Sequence, residues 1–277
     1  MFKRKDGVIV RNLPEWKRFV PFLMPTKSDA LIFFRKTIFV EKTLAYLHAK
    51  NQPAQGKRVS LFSILVCALL HTGVHFPDLN RFIVGKRTYQ RNGWFLSYTA
   101  KSSLEKDGET VLVKAAFGDH DRLEDVFQKL EDVKQKVRHK AASQTSGASS
   151  ELAFFFSFPP FLRPAVFGFL KLLNLWNILP YRMIEGDPFF SSCYMANVGS
   201  IGLEPPYHHL FEWGTASLFL SVGKIHPVPV RDENGNAIFR DALDIHFTLD
   251  ERVSEGVYLA RALEYFQQMV ENPSLME

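Results

Sequence analysis

The sequence has little cysteine. Its 277 residues include two, Cys67 and Cys193, and neither sits in a C-x-x-C pair. That excludes a disulfide framework and a thioredoxin-type redox motif, and no Cys/His set has zinc-ligand spacing. Cys67, within "SILVCALL", reads as a small buried hydrophobe, and the usage fits a reducing compartment. Charge of one sign is also scarce. The net charge is +5, with Lys and Arg interleaved among the acids. A dedicated nucleic-acid surface normally concentrates its cations, so no nucleic-acid partner is expected. The N-terminal "MFKRKDGVIV" has no apolar run of secretory type. No internal repeat is visible.

What is present is a globular composition, 46% hydrophobic and 23% charged, with 26 phenylalanines. So much aromatic surface implies large cores, an apolar ligand channel or an assembly face.

Along the chain, an extended lead-in precedes a strand at "ALIFFRKTIFV" and a short helix from Glu41 to about Lys50. Ser60 can cap the helix "LFSILVCALLHTGV", which is apolar on nearly every side and therefore reads as buried. From Pro77 to Phe117 the pattern is a series of strands, with Asn92-Gly93 and Asp107-Gly108 as hairpin turns. Leu123, Val126, Phe127, Leu130, Val133 and Val137 recur at helical spacing.

A polar linker, "HKAASQTSGASSE", leads into residues 152–180. This segment carries only Arg163 and Lys171 as charges and is interrupted by Pro159, Pro160 and Pro164. It reads as a buried or subunit-packing helical hairpin. An interfacial lipid contact and a membrane span are the alternatives.

The last hundred residues alternate again. "TASLFLSVGKI" reads as a strand with a glycine end. "PVPVRDENGNAIFRDALDIHFTLD" reads as a hairpin closed at Asn234-Gly235. In its second strand Leu243, Ile245, Phe247 and Leu249 face one way, and Asp244, His246, Thr248 and Asp250 the other. The terminal helix sets Leu259, Leu263, Phe266 and Val270 in one stripe.

Strand, Asn-Val-Gly-Ser-Ile-Gly turn, strand, Asn-Gly hairpin, strand, D-x-R-x-x-x-G turn and helix follow in that order. The succession resembles the catalytic domain of the acyltransferase components of 2-oxoacid dehydrogenase complexes, which share the chloramphenicol acetyltransferase fold. The likeness is most specific over residues 191–273 and weaker back to about residue 24. It implies an α/β fold with a mixed sheet flanked by helices, as one domain over 1–277 with 141–190 as an atypical insertion. It also implies a homotrimer, or a multiple of three, with active sites between subunits. No covalent cofactor and no metal are expected. Coenzyme A or an acyl-CoA is the expected substrate. The expected location is the cytoplasm, with membrane association through residues 152–180 as the alternative.

The family's turn reads D-H-R-x-x-D-G. Here it is Asp250-Glu251-Arg252-Val253-Ser254-Glu255-Gly256. Asp250, Arg252 and Gly256 match. The histidine that serves the family as general base is Glu251, and the second aspartate is Glu255. The serine that supports the oxyanion in the family's S-N-x-G turn is Ala196, followed by Asn197, Val198, Gly199 and Ser200.

Loss of one oxyanion donor costs about 2.7–4 kcal/mol in hydrolases. A carboxyl near pKa ~4.3 matches a thiol near ~8.5 less well than an imidazole near ~6.5 does. Ordinary lipoamide acyl transfer is therefore doubtful. His246, His208 and His209 are candidate substitute bases. Each also reads as an ordinary structural or surface histidine. Ser192, Tyr194 and Ala196 share one face, so the Tyr194 hydroxyl is a candidate for the channel. The readings left open are a divergent acyltransferase, an inactive scaffold or partner-binding trimer, and a membrane-associated lipid-handling variant.

Overall fold

The computed structural model describes residues 3–52, 59–101, 110–142 and 155–277. Its centre is a six-stranded sheet built from β2 (Leu31–Phe39), β5 (Trp94–Lys101), β6 (Thr110–Phe117), β7 (Cys193–Asn197), β8 (Leu218–Arg231) and β9 (Ala237–Asp250). The spatial order is β2-β9-β8-β7-β5-β6. β7 runs parallel to both β5 and β8, and the remaining pairs are antiparallel. A second, three-stranded sheet orders β1 (Gly7–Ile9), β4 (Arg87–Arg91) and β3 (Arg81–Val84) as β1-β4-β3.

Alternation in the strands makes one face of the large sheet apolar. Leu243, Ile245, Phe247 and Leu249 on β9 join Leu218, Leu220 and Val222 on β8 in the main core. Three helices cover that face: α3 (Leu61–His75), α4 (Leu123–Ala142) and α7 (Gly256–Glu271). α3 is sheathed on almost every side, which explains its lack of a polar face. Ser60 starts it with a reciprocal cap, accepting from the Ser63 N–H while the Ser63 hydroxyl accepts from the Ser60 N–H. α7 contributes Leu259, Leu263, Phe266 and Val270, as the stripe predicts. Leu123, Val126, Phe127, Leu130 and Val137 of α4 are buried, with Val133 packed against the core.

Three expectations need correction. The lead-in contains a helix, α1 (Glu15–Leu23), which tolerates Pro21 inside it; α2 (Glu41–Lys50) follows β2 as expected. Asn92-Gly93 is a tight turn, with Gly93 at φ +77°, but not a hairpin. The strands on either side belong to different sheets, so the turn hands the chain from one to the other. The hairpin lies one strand earlier, where Gly85 and Lys86 both take positive φ between paired β3 and β4. Finally, β8 does not end at Gly223. A bulge there re-aims the strand, which continues to Arg231 as an exposed ribbon with β9. The ribbon closes at the Asp232–Asn236 turn, where Gly235 has φ +83°.

The Asp107-Gly108 turn and most of the polar linker lie outside the described residues. Residues 152–154 of the apolar segment also lie outside the described residues; the rest of the segment includes α5 (Arg163–Leu175), none of whose residues is buried, and α6 (Tyr181–Gly186) follows it. Among the described residues no helix is long and apolar enough to cross a membrane.

Candidate functional site

The turn after β9 is clamped from both sides. The Asp250 N–H donates to the Ser217 carbonyl at 2.9 Å, and the Glu251 N–H to Ala30 at 2.8 Å. Within the turn the Asp250 carboxylate takes two bonds from the Arg252 guanidinium, from Nε at 2.8 Å and from Nη2 at 2.7 Å. Nη1 donates to the Met24 carbonyl at 3.0 Å. Both side chains are buried. This fork fixes the turn as one unit.

Lys27 supports the same corner. It is buried and donates to the carbonyls of Phe211 at 2.8 Å and Gly214 at 3.1 Å. Burial lowers its pKa from 10.5 to about 8, against the pull of Asp250 and Glu212. Burial pushes the Glu212 carboxyl up, but hydrogen bonds from Ser28 and Lys27 outweigh it and hold it below the usual carboxylate value.

Glu251 projects from this braced turn into solvent. Among the described residues, no hydrogen bond or ion pair involves its side chain. Arg252, its neighbour in sequence, is committed to Asp250. Glu255 turns away to Lys17, at 2.7 Å. Gly256 opens α7.

The polar face of the large sheet holds the remaining candidates. Strand register places Ala196, Ser221, His246 and Arg35 in one row across β7, β8, β9 and β2. Ser221 Oγ and His246 Nδ1 are both buried and have no hydrogen-bond partner. Burial, and then Arg35, lower the His246 pKa, favouring the neutral imidazole. The Tyr207 ring lies on His246 with centroids 4.0 Å apart and planes 10° apart. One pleat further along β9, Asp244 accepts from Thr37 at 2.6 Å, from Arg35 at 2.8 Å and from His226 at 3.0 Å.

The next row is aromatic. His208 stacks on Phe219 at 4.0 Å and 7°, and its carbonyl accepts from the Thr248 hydroxyl at 2.6 Å. His209 stacks on His208 at 4.6 Å and contacts Phe211. Tyr194 sits within this cluster. Its hydroxyl donates to the Pro188 carbonyl at 3.0 Å, so it is bonded inside the fold rather than offered to a channel. Burial raises its pKa.

The turn after β7 is self-contained. Asn197 Oδ1 accepts from the Ser200 N–H, and the Ser200 hydroxyl donates to the Asn197 carbonyl at 2.7 Å. Gly199 is required by proximity, since a Cβ there would meet the Gly223 carbonyl oxygen at 2.0 Å.

The structure thus joins Asp250 with Arg252, and Ala196 with His246 through Ser221. It leaves Glu251 and Glu255 apart from each other. The sequence reading missed Lys27 and Ser221. Alternation in "SLFLSVG" carries the signal for Ser221, which is in phase with Ser217 and Phe219 and out of phase with Leu218, Leu220 and Val222. Lys27 has no such signal. Among the described residues no group of three or more His, Cys, Asp or Glu forms a metal-ligating cluster.

The mixed sheet with helices on one face and a strand–turn–helix at its end is the fold of the chloramphenicol-acetyltransferase-like acyltransferases. The chain is similar to the cubic core of the pyruvate dehydrogenase multienzyme complex (12% identity, 96% of this chain and 93% of that one, TM-score 0.62). It is similar to the dihydrolipoamide acetyltransferase of Azotobacter vinelandii (14%, 96% and 93%, TM-score 0.59). It is also similar to chloramphenicol acetyltransferase (11%, 98% and 100%, TM-score 0.52). In sequence, residues 191–277 match the 2-oxoacid dehydrogenases acyltransferase (catalytic domain) family. No curated protein sequence matches the chain. The likeness to this acyltransferase family is therefore one of sequence over the C-terminal segment and of fold over nearly the whole chain.

Proposed function

We propose that this protein is a divergent acyltransferase relative that binds an acyl thioester or coenzyme A at the β9–α7 turn, with ordinary lipoamide acyl transfer lost. The observation that carries the reading is the contrast within that turn. The Asp250–Arg252 brace that positions the family's base is intact. The residue it presents is an exposed carboxylate, and the family's serine position holds the methyl group of Ala196. A carboxylate without a desolvated setting is a weak base for a thiol, and a methyl group cannot support an oxyanion.

The test is calorimetric titration with coenzyme A and acyl-CoAs of several chain lengths, followed by an acetyl-transfer assay with dihydrolipoamide. Binding without turnover is expected. Glu251→His combined with Ala196→Ser should raise turnover from that baseline. Enzyme-like transfer by the native protein that survives Glu251→Gln would sink the reading.

One observation favours a second reading, in which the base has moved. Burial and Arg35 lower the His246 pKa, and its buried Nδ1 lacks a partner in the row that also holds the unpartnered Ser221 hydroxyl. If native turnover occurs, it should then be lost in His246→Gln and kept in Glu251→Gln. A chain that neither binds nor turns over any thioester would instead be a scaffold, with assembly as its role.

A further inference from the structure

The apolar segment is anchored on one side and bare on the other. Leu170 and Leu173 of α5 pack inward with Leu179, Ile184, Phe190 and Trp213. Arg4 ties down the helix end, donating to the Oδ1 atoms of Asn174 at 2.9 Å and Asn177 at 3.2 Å. Asn177 in turn donates to the Tyr89 hydroxyl at 3.0 Å. The outward stripe of Phe169, Leu172 and Trp176, at i, i+3 and i+7, is apolar too. No residue of α5 is buried. Phe161 is 78% exposed, Phe169 58% and Trp176 53%. A helix apolar on its open face as well as its packed face is rare on a solvated surface.

The charge on this face is mostly of one sign. From residue 155 to Gly186, the end of α6, the ionised side chains are Arg163, Lys171 and Arg182 against the single acid Glu185. The guanidinium of Arg163 lies 5.1 Å from the Phe156 ring, and the Lys171 ammonium 5.0 Å from Phe167. Arg163 also donates to the carbonyls of Phe158 at 3.0 Å and Phe156 at 3.2 Å, so Lys171 and Arg182 are the cations left for a partner. Across a two-fold axis this face would meet its own cations; in a three-fold assembly it would meet a different surface, a case that the oligomer mass of the triple-serine variant below separates. An anionic lipid surface complements both features, taking the rings at the headgroup level and the cations at the phosphates. At 13 residues α5 is about 20 Å long, too short to span and suited to lie in the plane of the interface.

We infer that the α5 face docks onto anionic lipid bilayers as a peripheral contact. This goes beyond the thioester reading and does not depend on it. The experiment is flotation of the full chain with vesicles of phosphatidylcholine alone or mixed with phosphatidylglycerol. Flotation with the mixed vesicles only, weakened by added salt, is the expected result. Phe161→Ser, Phe169→Ser and Trp176→Ser together change exposed side chains. Circular dichroism should stay the same while the bound fraction falls at least ten-fold. Lys171→Glu with Arg182→Glu should abolish the preference for anionic vesicles. Three outcomes would overturn the inference. These are no flotation with either vesicle, equal flotation with both, or a changed oligomer mass in the triple-serine variant, which would make the face a subunit contact.

Discussion

At the scale of single residues, the turn after β9 combines a buried ion pair with an exposed carboxylate. Each guanidinium nitrogen of Arg252 makes a bond inside the fold, two to Asp250 and one to the Met24 carbonyl. Removing one partner of a buried pair leaves the other charge uncompensated, at about 3–5 kcal/mol. Arg252→Ala should lower unfolding stability by that order in urea titration, while Glu251→Gln, exposed and unpaired, should leave it within about 0.5 kcal/mol. Lys27 gives a pH signature. Its pKa falls from 10.5 to about 8 on folding, chiefly through burial. Between those values the unfolded chain binds more protons than the native one, so this group's contribution to stability rises with pH there. Below about pH 8 its burial penalty is fully felt. The native protein should therefore gain stability relative to Lys27→Met from about pH 8 to 10.5, and a flat difference across that window would contradict the assignment. Asp250, Glu251 and Arg252 were legible in the sequence because they share one turn. Lys27 was not, because its partners are carbonyls nearly two hundred residues away.

At the scale of elements, legibility followed local pattern. β9, α7 and the Ser60-capped α3 are readable because each repeats its own period over many residues. The Asn92-Gly93 turn misled because a glycine at positive φ shows that the chain bends, not which sheet receives the next strand. α1 was hidden by Pro21, although Trp16, Phe19 and Leu23 are spaced i, i+3 and i+7. The fit of the β7 turn against the β8 bulge was hidden as well. Gly199 lies against Gly223, and a Cβ on Gly223 would in turn lie 2.4 Å from the Pro205 ring. Backbone presses on backbone here, so the neighbours have little freedom to yield. Gly199→Ala should cost about 1–3 kcal/mol through overpacking. It should also displace the loop carrying Tyr207 and His208, which a change in tyrosine fluorescence or the His246 imidazole resonance would detect. Unchanged stability would mean the two strands separate more easily than this geometry implies.

At the scale of the whole molecule, the brace at Asp250–Arg252 and the row from Ala196 to Arg35 are parts of one chain. On the proposed reading the thioester site is completed between subunits, and the chain has exposed apolar surface apart from the α5 face. On α1, Trp16, Phe19, Phe22 and Leu23 are all exposed, next to the turn that Lys17 reaches through Glu255. Large apolar side chains clustered this way normally meet a partner. The expected particle is a homotrimer, so light scattering should give three times the chain mass of 31.8 kDa, or a multiple of it. Trp16→Ser with Phe19→Ser should shift the particle toward monomer. A ligand bound between subunits favours the assembled state by mass action. Acyl-CoA should therefore restore the trimer in that variant if the thioester reading holds, and have no effect on assembly if the chain is a scaffold. A native chain that remains monomeric at micromolar concentration, with or without acyl-CoA, would remove both the trimer and the shared channel.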